Sequence, residues 1–245
     1  MSLLKDMAVV LRRLDYSETS QVLAVFTREH GQERLIAKGI KRGTKTRVAV
    51  GVDLLELGHV VYSSNPNKAE VLGVMTEWRQ IDSYPHLRAD LSRLYAAQYA
   101  AEVTSQLTEP HDPHVALFDG LVELLQLLSG DDVLRMLIQY LRKLLLEIGM
   151  KPEGTVCMNC GRGVTGDPII YFSSRQGGAI CRDCEPAVVE KRRVTAEELA
   201  ILDGATGGPS SLARVFDLLD YHLREIMCKP AKLSAPFKLA IGMAK

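Results

Sequence analysis

The sequence predicts an α+β, multidomain chain. It reads as a small N-terminal β-barrel, then an α-helical domain into which a four-cysteine zinc motif is inserted. Three observations carry this. Short β-branched runs separated by Gly, Pro, Asn and Ser fill the first eighty residues, apolar residues at helical spacing fill most of the remainder, and four of the five cysteines form two C-x-x-C pairs. The expected domains are residues 1–80 and 81–245, with the zinc motif at 154–188. At 245 residues, with 47% hydrophobic and 24% charged side chains, the chain can build packed cores.

The strand runs are Ala8–Leu14, Gln21–Thr27, Gln32–Ala37, Asp53–Tyr62 and Lys68–Thr76, with Ser63-Ser64-Asn65-Pro66-Asn67 as a turn. Five strands in this length suit an OB-fold barrel, and on pattern alone an SH3-like barrel fits nearly as well. Phe26, Tyr62 and Trp78 fall at strand positions and read as core.

From Tyr84-Pro85 the period changes. Leu87, Leu91, Leu94, Tyr95, Gln98 and Ala101 recur at helical spacing, with Pro85 at the start. A second helix runs from Pro113 to Leu128. A third follows Asp131-Asp132, carries Leu134, Leu137, Ile138, Leu141, Leu144, Leu145 and Ile148, and stops at Gly149. Such wide apolar faces must pack on one another. Thr195-Ala196-Glu197-Glu198 has capping-box spacing for a short helix ending at Gly204, and Leu212–Met227 is a further amphipathic helix closed by Lys229-Pro230.

Cys157, Cys160, Cys181 and Cys184 are the expected metal ligands. Four thiolates fill the tetrahedral shell of a structural Zn²⁺, and Gly161 supplies the turn after the first pair. A catalytic zinc would keep one position open beside a general base. No His-x-Glu or His-Glu-x-x-His accompanies these cysteines, so the expectation is one structural zinc. Cys228, near Leu223 and Met227, reads as a buried free thiol. His111 and His114 flank Asp112-Pro113 and read as a polar loop.

Lys plus Arg equals Asp plus Glu at 30 each, so a nucleic-acid surface must be a local patch. One candidate stands out. Arg34, Lys38, Lys41, Arg42, Lys45 and Arg47 occur within fourteen residues that hold no Asp or Glu, whereas the rest of Lys5–Arg79 has six further basic residues against nine acids. A glycine-containing basic loop at the mouth of a barrel can follow a phosphate backbone. Gly-x-Ser-x-Gly, Walker A and Gly-x-Gly-x-x-Gly patterns do not occur, and no enzymatic constellation emerges. No apolar run reaches bilayer length and no leader pattern opens the sequence, so a cytoplasmic, nucleoid-associated protein without membrane contact or small-molecule substrate is expected.

Asp15-Tyr16-Ser17-Glu18-Thr19-Ser20, Val25-Phe26-Thr27-Arg28-Glu29-His30-Gly31 and Leu35-Ile36-Ala37-Lys38-Gly39 resemble the N-terminal signature of the bacterial recombination mediator RecO family. The order that follows resembles it as well: basic loop, strands, a leucine-rich helix ending in Leu146-Glu147-Ile148-Gly149, a cysteine motif and more helix. The family pattern is departed from at Gly51-Val52-Asp53, where a Gln-Pro-Phe-like segment is usual. The resemblance implies an OB-fold domain that binds single- and double-stranded DNA, annealing of complementary strands, and a zinc motif present in many members. It implies partnership with RecR in loading RecA onto DNA coated by single-strand binding protein, whose acidic tail is recognised. Carried over by position, Lys38, Lys41, Arg42, Lys45 and Arg47 are DNA candidates, and Arg135 on the leucine-rich helix is the candidate for the acidic tail. The alternatives to a strand-annealing factor are a zinc-stabilised protein-interaction adaptor with little DNA contact of its own and a metal-dependent nuclease or deaminase.

Overall fold

The computed structural model describes residues 2–41, 51–64 and 72–243. The chain divides into two compact units, Met1–Gly130 and Asp131–Lys245.

The first unit opens with a closed barrel of β1 (Ser2–Asp15), β2 (Gln21–Thr27), β3 (Gly31–Ala37), β4 (Leu57–Ser64) and β5 (Gly73–Asp82). Around the barrel the order is β1-β2-β3-β5-β4, and the β3–β5 pairing is parallel while the others are antiparallel. This Greek-key closure is that of an OB-fold and decides against the SH3-like alternative.

The strand bounds shift from expectation for identifiable reasons. β1 is fourteen residues long because it serves two neighbours, pairing with β4 through Ser2–Val9 and with β2 through Ala8–Asp15. The register slips between Val10 and Arg12, the local bend that lets one strand turn a barrel corner. At that corner the Val10 N–H donates to the Glu56 carbonyl at 3.0 Å, and the Leu55 N–H donates to the Val10 carbonyl at 2.9 Å. Residues 53–56 are therefore a turn bonded to the bulge, with Leu55 at φ 66°, and the fourth strand begins at Leu57 rather than Asp53. The fifth strand lies later than expected; of its predicted run, residues 68–71 are outside the described residues. Alternation buries Ala8, Val10, Leu23, Val25, Leu35, Ala37, Val60, Tyr62 and Met75 inside.

Pro85 opens a 3₁₀ turn, Pro85–Ala89, rather than the α-helix itself. The helix α1 (Leu91–Leu107) starts after Asp90, whose carboxylate accepts the Arg93 N–H at 3.1 Å. Its buried face is Ala96, Ala97, Tyr99, Ala100, Ala101, Val103 and Thr104; of the positions the spacing picked out on this helix, Ala101 is buried, Leu94, Tyr95 and Gln98 are half-buried and Leu91 is exposed. Small alanines let the helix approach β1 and α2 (Val115–Leu127) closely, so spacing found the helix but only the Ala101 part of the side that packs. The β2–β3 hairpin fastens these helices. Gln32 Nε2 donates to the Thr108 carbonyl at 2.7 Å, the His111 N–H donates to the Gln32 carbonyl at 3.2 Å, and Arg28 forms a bidentate pair with Asp119 at 2.8 and 2.9 Å. Gly31, at φ 73°, is required there, because a Cβ would lie 2.3 Å from the Asp112 carbonyl oxygen.

The second unit contains α3 (Val133–Glu147), α4 (Ala196–Asp203), α5 (Pro209–Met227), α6 (Ser234–Ala240) and a sheet ordered β7 (Gly178–Cys181), β6 (Ile170–Ser173), β8 (Arg192–Val194). α3 and α4 both pack on α5. The capping box is present: the Glu198 N–H donates to Thr195 Oγ1 at 3.2 Å, and the Thr195 N–H donates to Glu198 Oε2 at 2.9 Å. Asp132 makes no side-chain cap; its carboxylate takes the Arg135 guanidinium instead. α5 starts at Pro209, three residues before the expected start. Beyond Pro230 the chain forms α6, which the sequence reading lacked, and Phe237 buries its ring against Phe216 at 5.0 Å. Cys228 is exposed, correcting the buried thiol: it ends α5 in the left-handed conformation (φ 56°), outside the helical face that Leu223 occupies. Among the described residues no helix is long and apolar enough to cross a membrane.

Candidate nucleic-acid interface and metal centre

The outer face of β1-β2-β3 follows from register. Arg12 pairs with Ala24, which pairs with Arg34; Leu14 pairs with Val22, which pairs with Ile36. Side chains alternate across a strand, so Arg12 and Leu14 share the outward side of β1, while Arg34 and Ile36 share that of β3, with Lys38 just beyond its end. Small residues on β2 separate the two columns. Arg12, Arg34 and Lys38 are exposed, and among the described residues no carboxylate pairs with them. Sequence reading found Arg34 and Lys38 as a cluster but missed Arg12, which lies twenty-two residues away along the chain and two strands away in space.

The other basic-loop candidates are placed differently. Lys41 Nζ is 2.7 Å from Asp15 Oδ2, and its hydrogen bond holds the Asp15 carboxyl below the usual carboxylate range, helped by Gln21. Lys41 is thus partly neutralised, a role the sequence could not show. Arg42, Lys45 and Arg47 lie outside the described residues. Both stems of that segment are tied to the β1–β2 corner: the Lys41 N–H donates to the Thr19 carbonyl at 3.2 Å, and the Val52 N–H donates to Gln21 Oε1 at 2.9 Å. Gly51 fits this corner because a Cβ would lie 2.6 Å from Gln21 Oε1, and its φ is +85°. Nearby, Asp53 is shared by Arg13 and Arg88, each at 2.8 Å, a cluster that keeps one net positive charge. Phe26 and Tyr62 are fully buried and offer no platform for bases.

The cysteine motif brings four sulfurs together. Those of Cys157, Cys160, Cys181 and Cys184 all lie within 4.8 Å of one another, and Cys160 and Cys181 are 3.9 Å apart. Tetrahedral thiolates at 2.3 Å from an ion stand about 3.8 Å apart, so the cage has the right size for a bound metal. The first knuckle closes through the Gly161 N–H on the Cys157 carbonyl at 2.8 Å, with Gly161 at φ +73°; the second closes through Cys184 N–H on the Cys181 carbonyl at 3.2 Å. Burial alone would push the Cys157 thiol up, but the N–H groups of Cys181, Cys160 and Asn159 outweigh it and hold the thiol at about 6. A lowered thiol favours the thiolate that metals bind. Strand β7 carries Cys181, and the Met158 N–H donates to its Ala179 carbonyl at 2.9 Å, so β7 holds the second knuckle against the first.

The ribbon is joined to α5 through His222. Its Nε2–H donates to the Met150 carbonyl at 3.2 Å, which leaves Nδ1 to accept from the Ser174 hydroxyl at 2.7 Å. Burial lowers the His222 pKa below the ordinary histidine value. Arg135 is occupied by Asp132 at 2.5 Å and by the Gly207 carbonyl at 3.1 Å. His111 and His114 do not converge: His111 Nδ1 lies 3.0 Å from buried Glu33, and His114 Nε2 lies 3.2 Å from Asp112. Among the described residues the cysteine cage is the only group of three or more potential metal ligands.

Comparison with known proteins agrees with this anatomy. Residues 1–84 match the model for the recombination protein O N terminal region, and residues 88–232 match that for the C terminal region. Among curated proteins, the chain is 32% identical over 183 residues to a protein of Bacillus pumilus, covering 74% of this chain and 68% of that protein. It is 28% identical over 215 residues to one of Pelotomaculum thermopropionicum, covering 88% and 80%. To one of Desulfitobacterium hafniense it is 31% identical over 178 residues, 73% of this chain, and spans 63% of that relative's length. All three bear the name DNA repair protein RecO.

Proposed function

Since the chain belongs to the recombination protein O (RecO) family, whose setting is DNA repair and recombination, we propose that it is a non-catalytic mediator of homologous recombination. It binds single- and double-stranded DNA and anneals complementary strands. With RecR it helps load RecA onto DNA covered by single-strand binding protein, and it works in the cytoplasm, on the nucleoid. The observation that supports this best is the set of exposed cations Arg12, Arg34 and Lys38 on the outside of the OB barrel, which no carboxylate among the described residues pairs with. The β2–β3 face is where OB-folds take oligonucleotides.

Annealing asks no bond chemistry of the protein. Two strands repel through their phosphates; fixed cations release counterions and lower that repulsion, and holding strands close raises their effective concentration. Arg42, Lys45 and Arg47, which lie outside the described residues, remain DNA candidates from the sequence. Zinc is the metal for the cysteine cage, since an all-thiolate tetrahedral shell suits it and leaves no open position for a catalytic water. Its role is to fold a segment with little core of its own. Arg135 remains the candidate for the acidic tail of single-strand binding protein, and receiving that tail requires it to exchange its bond to Asp132.

The test is an annealing assay on complementary oligonucleotides with the full chain and with Arg12, Arg34 and Lys38 all replaced by Ala. The substituted chain is expected to anneal at close to the protein-free rate. Annealing undiminished by the replacements would overturn the reading and favour the zinc-stabilised adaptor.

A further inference from the structure

We propose that Tyr16 is a base-stacking residue that gives this face its preference for unpaired strands over duplex. The proposal rests on the reading of the β1-β2-β3 exterior as a DNA surface and specifies what that surface recognises.

Tyr16 follows Arg12 and Leu14 at intervals of two, so all three project from the same side of the β1 ribbon, about 6.6 Å apart per step. The hairpin register continues through it, the Tyr16 N–H donating to the Ser20 carbonyl at 3.0 Å. Ser17 Oγ in turn accepts the Thr19 and Ser20 N–H groups at 3.4 and 3.1 Å, fixing the corner that carries the ring. Tyr16 is 68% exposed and Leu14 65% exposed, high values for an aromatic and a leucine on neighbouring outward positions. Carrying the β2–β3 register one pair further sets Ser20 beside Lys38. The face is then a shallow trough: a floor of Ala24, Val22 and Ser20, one wall of Arg12, Leu14 and Tyr16, and the other of Arg34, Ile36 and Lys38.

Charge identifies the occupant. Among the described residues the three wall cations have no carboxylate partner; of the two exposed acids in the corner, Asp15 is engaged by Lys41 and Gln21, which leaves Glu18. An apolar, aromatic strip between cations matches a polymer that presents flat rings along an anionic backbone, which is single-stranded nucleic acid. A duplex offers the cations its phosphates but hides its base faces within the stack. The cations therefore serve both forms, and the ring serves only the unpaired one.

The experiment compares the full chain with Tyr16→Ala and Tyr16→Phe, using fluorescence anisotropy on a labelled oligo-dT and on its duplex with oligo-dA at one salt concentration. Tyr16→Ala is expected to weaken oligo-dT binding about 5- to 150-fold, the range for loss of one stacked base, to leave duplex binding unchanged, and to keep the salt slope, since no charge is removed. Tyr16→Phe retains the ring and is expected to bind as the parent. An equal loss on both substrates, or no loss on either, would overturn the stacking role. If instead the Arg12, Arg34 and Lys38 replacement left binding of both substrates intact, the DNA reading of the face would fall and the stacking role with it.

Discussion

Replacing Arg12, Arg34 and Lys38 with Ala removes three positive charges from one face while touching no core side chain, because all three are exposed. For a single strand, each neutralised phosphate contributes about 0.7 to the slope of log affinity against log salt. Loss of three such contacts should flatten the slope by about 2, so between about 50 and 200 mM salt the parent should lose about 18-fold more affinity than the variant. The assay is anisotropy of a labelled oligonucleotide titrated at several salt concentrations, with the thermal unfolding midpoint as a check on folding. Lys5 and Arg79 provide the control. They lie on the outside of β1-β4-β5, away from the β2–β3 face, where Lys5 shares a cross-strand row with Glu77 through Val61. Their replacement by Ala should leave the slope within error of the parent. A slope equally steep in the Arg12, Arg34, Lys38 variant, or equally flattened in the Lys5, Arg79 control, would refute the assignment of the contact to this face.

Two further outcomes follow from the second unit. Protein purified without chelator should carry one zinc per chain by elemental analysis. Stripping the metal, or Cys157→Ser, should abolish hydrogen-exchange protection across β6–β8, because binding worth on the order of 10 kcal/mol is comparable to the whole stability of an ordinary domain; metal-free protein with full protection would contradict this. His222 sets an acid limit: burial lowers its folded-state pKa below the unfolded value of about 6.5, so the unfolded chain binds the extra proton first. Its contribution is intact above about 6.5 and is lost as pH falls through that value towards the folded-state one. The unfolding midpoint of the parent should drop over that window, and His222→Gln should show a shallower drop; identical pH profiles would exclude His222 as the cause.

The sequence by itself determined what depends on neighbours along the chain. The C-x-x-C spacing places two sulfurs in each knuckle, the Thr195–Glu198 spacing forms a capping box, and alternation in Gln21–Thr27 and Gln32–Ala37 marks strands with a buried side. The positions of α1 to α5 were legible for the same reason, whereas α6 was not. The side on which α1 packs was legible only at Ala101, because its alanines bury by allowing close approach rather than by being large. Cys228 was misread because one residue separates the end of a helical face from a left-handed cap. Only the tertiary structure decided what depends on distant segments. Parallel pairing of β3 with β5 selects the OB closure, the bulge at Val10 moves the fourth strand to Leu57, and Asp15 draws Lys41 out of the free cation set. Register across β1, β2 and β3 brings Arg12 into line with Arg34. Strand pairing is a choice among partners remote in sequence, fixed by which faces must be buried together, and no local pattern encodes which residues will then stand side by side.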